Sequence, residues 1–229
     1  MPLNTGKCSV LHLGSFNPRH QYSLGGVTIQ CSDSQSDLGV LVTTSLSWSE
    51  HILSVTRKAH RLTFLIGKAF GGCSLEVFAK LYTIYIRPLL EFAGPVWYPT
   101  LVRDWELLEA VQRRVTRLSF GVVRPSYEER LRMAGLLSFR DRRLRGDLIT
   151  TFRAIRGLFG CDLANLFELN VNHLRGHPYK LRKENFSATP RQLFLPNRVF
   201  NTWNALPCEV VCAPSVGSFK NRLDQFTGA

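Results

Sequence analysis

The sequence predicts a mainly α chain with a small N-terminal antiparallel β meander, an α+β fold whose helical bundle is followed by an irregular helical C-terminal region. Three observations carry that prediction. Up to residue 46 the apolar residues come in short alternating runs broken by turn residues; from Ser47 they recur at three- and four-residue spacing; beyond Gly160 that period weakens. The organisation expected is therefore 1–46, 47–135 and 136–229. With 229 residues, 45% of them hydrophobic and 15 of them Phe, the chain is long and apolar enough to bury a real core, which excludes a disordered polymer.

The meander rests on Ser9–Leu13, Gly25–Gln30 and Leu38–Val42, with Asn17-Pro18 and Ser32–Ser34 between them. Ser47 followed by Glu50 has the spacing of a capping box, and Ile52, Val55, Ala59, Leu62, Ile66 and Ala69 then form one apolar stripe as far as Gly71-Gly72. A second helix runs from Ser74 to Arg87, where Pro88 ends or kinks it. A third spans Asp104 to Phe120 on Leu108, Val111, Val115 and Leu118. Ser126 and Glu129 make a second capping box for a short helix that Gly135 stops. Ser138 caps a longer helix to Arg156, with Leu144, Leu148, Phe152 and Ile155 inward. After a polar, basic stretch, Asn197–Ala205 and Ser215–Phe226 read as short helices.

Charge points to the partner. Lys and Arg total 29 against 17 Asp and Glu, a net of +12, and 22 of the 29 are Arg. Arg presents a planar fork of donors that matches phosphate, so nucleic acid is the expected partner. The residues assigned to that contact are Arg57, Lys58, Arg61, Arg113, Arg114, Arg117, Arg142, Arg143, Arg145, Lys180 and Lys183. Against it stands a solvated face in which Glu106, Glu109, Asp141 and Asp147 neutralise the arginines. Phe139, Phe152, Tyr179 and Phe186 lie near the clusters, as base-stacking rings or as core.

Enzymatic signatures are missing: there is no Walker-type phosphate loop, GxSxG elbow or HExxH. Asp33 with Asp37, and Glu128 with Glu129, suit a turn and a helix start better than a two-metal site. His173, His177, Cys208 and Cys212 have ligand chemistry for zinc, but Gly176, Pro178 and Pro207 break the helices such spacing needs; no metal and no cofactor is expected. The six cysteines, Cys8, Cys31, Cys73, Cys161, Cys208 and Cys212, have no framework spacing. No run reaches the roughly 18 to 20 apolar residues of a membrane span, and no leader-like segment follows Met1. The chain is accordingly expected to be intracellular, nuclear or cytoplasmic.

Eight stretches occur in an order that is itself informative: Gly6–Gly14, Asp37–Val40, Leu46–Ile52, Arg87–Ala93, Leu108–Arg114, Tyr127–Leu131, Arg142–Leu148 and Val199–Pro207. Together they resemble the C-terminal part of the reverse transcriptase of jockey-like non-LTR (LINE-type) retrotransposons: the end of the palm, the thumb and the C-terminal region. The resemblance implies that Lys7 stands at the motif D lysine, that Leu38, Gly39 and Val40 form the primer-grip hairpin, and that the helices from Ser49 to Phe120 are thumb-like and track a duplex by its backbone. The family's magnesium-binding aspartate pair has no counterpart, and no acid precedes Asp33. The expected function is thus a truncated, non-catalytic piece of an RNA-directed DNA polymerase that retains non-specific affinity for RNA, DNA or hybrid duplex and self-associates through an open sheet edge. The alternative is an orphan basic helical protein with no selected function.

Overall fold

The computed structural model describes residues 4–14, 16–122, 124–160, 164–170, 176–186 and 188–228. It is mainly helical with a small β part, as the apolar periods require. The N-terminal region, however, is not one meander. A 3-10 turn at Thr5–Lys7 precedes β1 (Ser9–Val10), β2 (Ser23–Leu24), β3 (Val27–Thr28), β4 (Gln30–Cys31), β5 (Ser34–Asp37) and β6 (Val40–Thr43). These pair two by two: β1 with β4 in parallel, β2 with β3 and β5 with β6 antiparallel. Gly25 and Gly26, read as strand, instead take left-handed φ values and make the β2–β3 turn. The positive φ angles of Leu38 and Gly39 likewise close the β5–β6 hairpin, the turn type whose twist matches its strands.

Helix α1 (Ser49–Ala69) follows. The capping box expected at Ser47 does not form: Thr43 Oγ1 donates to the Ser47 carbonyl and accepts from its N–H, tying the hairpin to the helix entry, and Trp48 is the cap residue. Helix α2 (Leu75–Leu81) passes through a widened π turn (Tyr82–Ile86) into α3 (Arg87–Glu91). Pro88 neither ends nor breaks this helical run. Its ring would crowd the carbonyl one turn back, and the wider turn before it makes that room. Helix α4 (Val102–Val115) lies along α1 in the same direction, because Ser49 Oγ donates to Asp104 at one end (2.7 Å) and Leu118 packs on Gly67 at the other. Helix α5 (Tyr127–Ala134) carries the complete capping box and ends at left-handed Gly135. Ser138 caps α6 (Phe139–Ile155). Helices α7 (Thr189–Gln192), α8 (Leu195–Ala205), α9 (Cys208–Val211) and α10 (Val216–Thr227) complete the described chain.

Two apolar cores result. The first gathers Ile52, Ala59, Phe78, Tyr82, Ile86, Trp97, Leu108, Val111 and Val115; the second gathers Phe152, Trp203, Val199, Phe219 and Leu223. Helix α6 serves both, with Phe139 in the first core and Leu148, Phe152 and Ala154 in the second. The boundary expected at residue 136 therefore falls close to the start of the helix that joins the two cores. Phe139 and Phe152 are core side chains rather than base platforms, at 1% and 2% exposure.

Three histidines are held neutral. Burial is the main cause lowering the pKa of His51, His60 and His177, with Arg143, Arg114 and Lys180 respectively adding repulsion. His51 Nδ1 accepts from the Leu41 N–H (3.2 Å), a bond that protonation at Nδ1 would remove. All three folded values lie below the ordinary 6.5, so the unfolded chain binds more protons beneath that pH. Their stabilising contribution is complete above about pH 6.5 and is lost as the pH falls below it. Urea midpoints at pH 7.5 and pH 5.5 check this: the midpoint drops at the lower pH, and less so in His51→Gln. An equal or higher midpoint at pH 5.5 would refute it.

Candidate nucleic-acid interface

The sequence-assigned cations divide into two groups with different fates. Arg57, Lys58 and Arg61 are exposed on α1, while Arg113 and Arg114 on α4 and Arg117 just past its end are exposed too. Among the described residues no ion pair engages any of the six. Of the four acids expected to neutralise the arginines, three are committed elsewhere, and Glu106, exposed on α4, is within ion-pair distance of none of the six. Glu109 accepts from the Tyr127 hydroxyl and from the Phe139 N–H (2.9 Å), Asp141 from Ser138 Oγ (2.6 Å), and Asp147 from Arg198 (2.8 and 2.9 Å). Arg113 lies 5.1 Å over the Tyr127 ring and is exposed.

Parallel packing sets Arg57 and Arg61 of α1 beside Arg114 and Arg117 of α4, whereas Lys58 turns toward the His51 side of α1 and Arg113 toward Tyr127 of α5. On α1, Leu53, Arg57, Phe64 and Arg61 fall within one exposed arc at helical spacing, and His60 beside them is close enough to Arg114 of α4 to be repelled by it. Because both helices run the same way, Lys68 of α1 and Arg113 and Arg114 of α4 all occupy last turns at one end of the bundle. There each also balances the negative end of its helix dipole, worth about 0.3 to 1 kcal/mol. The result is a basic two-helix face with Leu53 and Phe64 exposed in it, 37% and 58%.

The second group is internal. Arg142, half-buried, forms a two-bond pair with Glu91 (3.0 and 3.4 Å). Arg143 is 5% exposed, lies 3.9 Å over the Trp97 ring, and donates through Nη2 to the carbonyls of Gly94 (2.8 Å) and Trp97. A Cβ at Gly94 would lie 3.1 Å from the Glu91 carbonyl oxygen but 3.6 Å from the Arg143 guanidinium carbon, so the tight turn after α3, rather than the arginine, calls for glycine. Arg145 grips Asp224 of α10 with two bonds (2.5 and 2.7 Å). Burial lowers the Arg143 guanidinium to about 10, and the hydrogen bond from Arg145 to Asp224 raises the Arg145 value. These three, expected on a nucleic-acid face, instead lace α6 to both cores. Lys180 is half-buried with its Nζ bonded to the Asn204 carbonyl, and only Lys183 of that pair is exposed.

Sequence reasoning missed Arg198 and assigned Asp147 to a solvated face, whereas the two form a buried ion pair with side chains 6% and 4% exposed. Arg198 reaches further, to the Leu193 and Gly94 carbonyls (3.0 and 3.2 Å), with its guanidinium 4.7 Å over Tyr98. One signal was present: Phe139, Arg143, Asp147 and Thr151 repeat at four-residue spacing on one face, and that face is the buried one, whereas Leu144, taken as inward, is 37% exposed.

The positions that the family resemblance singles out are spread along the N-terminal region. Lys7 ends the 3-10 turn and is exposed. Leu38 is 88% exposed at the β5–β6 turn, Gly39 backs onto Phe92, where a Cβ would stand 3.3 Å from the ring, and Val40 is in the first core. Of the four zinc candidates, His173 lies outside the described residues. His177 Nε2 donates to the Trp203 carbonyl (3.0 Å), and the Cys208 and Cys212 sulfurs are 3.3 Å apart. Among the described residues no three His, Cys, Asp or Glu side chains converge as a metal cluster, and no helix is long and apolar enough to cross a membrane.

No family model matches the chain, and no solved structure matches it. Among curated proteins it is similar to an uncharacterized protein of Caenorhabditis elegans, 26% identical over 125 residues. That match covers 53% of this chain and 63% of the relative, so the chain spans less than two thirds of the relative's length.

Proposed function

We propose that this chain binds nucleic-acid backbones without catalysing chemistry on them, in the way a piece of a non-LTR reverse transcriptase thumb and C-terminal region would. The supporting observation is the α1–α4 face, where Arg57, Arg61, Arg114 and Arg117 are exposed, with Lys58 and Arg113 exposed on the adjoining sides of the same helices, and none of the six carries a carboxylate partner among the described residues. Forks of this kind contact phosphate oxygens, which position a strand and read no bases, so RNA, DNA and hybrid duplex are bound alike. The C-terminal arginines play no part in this face; their role is to hold α6.

Salt dependence is the test. Each phosphate contact displaces condensed counterion, so log affinity falls with log salt by about 0.9 per contact on duplex and about 0.7 on single strands. The combined change Arg57→Gln, Arg61→Gln, Arg114→Gln and Arg117→Gln flattens the duplex slope by about three to four units when all four contact phosphate. Anisotropy titrations between 50 and 200 mM salt measure it, with Lys183→Gln as the comparison that leaves the slope within about one unit. Unchanged affinity and slope with an unchanged helical circular dichroism spectrum would make the face merely solvated. Template-dependent nucleotide incorporation above a heat-treated control would overturn the non-catalytic half of the proposal.

A further inference from the structure

One aromatic ring stands uncovered among the cations of the basic face. Phe64 of α1 is 58% exposed. Helical spacing sets it between Leu53 and Arg57 on the exposed arc, with Arg61 one turn before it and Lys68 one turn after, both exposed. Two contacts between the helices bracket it along α1. One turn before the ring, His60 is close enough to Arg114 to be repelled by it; one turn after, Leu118 packs on Gly67, where a Cβ would come within 3.1 Å of a Leu118 methyl. Arg114 and Arg117 occupy the matching interval of chain on the α4 side, from Arg114 to Leu118.

An exposed phenylalanine by itself is ordinary. Its setting is not. Elsewhere in the molecule arginines cover the rings they adjoin: Arg113 lies over Tyr127, Arg140 over Trp105 and Arg153 over Phe159. Among the described residues no cation and no second ring lies over Phe64. The ring keeps an open π face among cations that carry no carboxylate, a combination that suits a partner bearing both phosphate and flat aromatic groups.

We infer that Phe64 is a stacking platform for an unpaired base, so that the α1–α4 face takes single-stranded nucleic acid with its flanking phosphates on Arg57, Arg61, Arg114 and Arg117. This rests on the nucleic-acid contact proposed above and names the strand form it accepts. A single strand turns the face of a base onto a ring while its phosphates stay on the cations, and the contact tolerates any sequence because every base has such a face. In a duplex those faces are stacked on neighbouring pairs and out of reach. The ring is uncharged, so it adds affinity without adding to the salt slope.

Anisotropy titrations with three labelled ligands test the platform: an oligonucleotide, a duplex of the same sequence, and an abasic strand of equal length that keeps the sugar-phosphate chain without bases. Phe64→Ala is expected to weaken single-strand binding by about 5- to 150-fold, the range for loss of one stacked base. Affinity for the duplex and the abasic strand changes by less than about twofold, and every salt slope stays as it is. Phe64→Tyr keeps the ring and the affinity, whereas Phe64→Leu keeps apolar bulk without a π face and behaves like Phe64→Ala. An unchanged helical circular dichroism spectrum accompanies all three substitutions, as an exposed position allows. Single-strand affinity unchanged in Phe64→Ala overturns the inference. So does an equal loss on all three ligands, which would mean that the side chain only shapes the basic face. Self-association that Phe64→Ala abolishes, with strand affinity intact, would overturn it too and give the ring to a second copy of the chain. A wild-type chain that binds none of the ligands refutes the nucleic-acid contact altogether, whereas salt-dependent binding that ignores Phe64 refutes the platform alone.

Discussion

Asp147→Ala is expected to destabilise the chain by about 3 to 5 kcal/mol, because it leaves the Arg198 guanidinium buried beside no carboxylate. The pair is 6% and 4% exposed and doubly bonded, so water cannot take the place of the lost oxygens. A loss of that size is a large fraction of the roughly 5 to 15 kcal/mol that holds a typical domain folded. Urea unfolding measures it, and Arg198→Ala is expected to cost a similar amount. Replacing both by apolar residues of similar volume, Asp147→Leu with Arg198→Met, recovers most of the loss, since neither then carries an uncompensated charge. Arg113→Gln on the exposed face stays within about 0.5 kcal/mol. An Asp147→Ala midpoint indistinguishable from that of Arg113→Gln would show that the pair does not hold the cores together.

Trp203→Ala carries the second large effect. Trp203 is fully buried in the second core, 6.1 Å from the Phe219 ring and edge-on to His177, and its Nε1–H donates to the Tyr179 carbonyl (2.8 Å). Truncation removes the apolar contact and opens a cavity, about 3 to 5 kcal/mol. For a chain of this size that lowers the thermal midpoint by about 6 to 20 °C. Trp203→Phe keeps most of the ring volume and leaves only the Tyr179 carbonyl without its donor, about 1 to 3 kcal/mol. Because α6 contributes to both cores, unfolding remains one transition in each variant. A drop below about 2 °C, or a second core that melts separately from the first, would refute this account.

The helices were legible where a local rule sufficed. The Ser126–Glu129 box and Gly135 set both ends of α5, Ser138 set the start of α6, and the spacing of Ile52, Val55, Ala59 and Ile66 set the buried face of α1. Each depends on residues within a turn or two of one another, which is the range over which caps and side-chain periodicity act. The strands were less so. Alternation over two to four residues marks extended chain but does not choose a partner, and the parallel pairing of β1 with β4 is a contact across some twenty residues.

By itself the sequence determined the fold class, the starts of α5 and α6, the apolar stripe of α1 and α4, and a net positive charge concentrated on arginine. Only the tertiary structure decided what each arginine does. Arg113 and Arg143 look alike in a list of basic residues near helix ends, but one projects from α4 with no acid opposite and the other turns into the junction of two cores. That difference comes from partners 46 to 49 residues away, the carbonyls of Trp97 and Gly94, and from the indole beneath the guanidinium. A charge reads locally as solvent-facing; long-range packing alone tells whether a carbonyl, a ring or a carboxylate will meet it, because hydrogen bonds and desolvation depend on the neighbours in space and not on those in the chain.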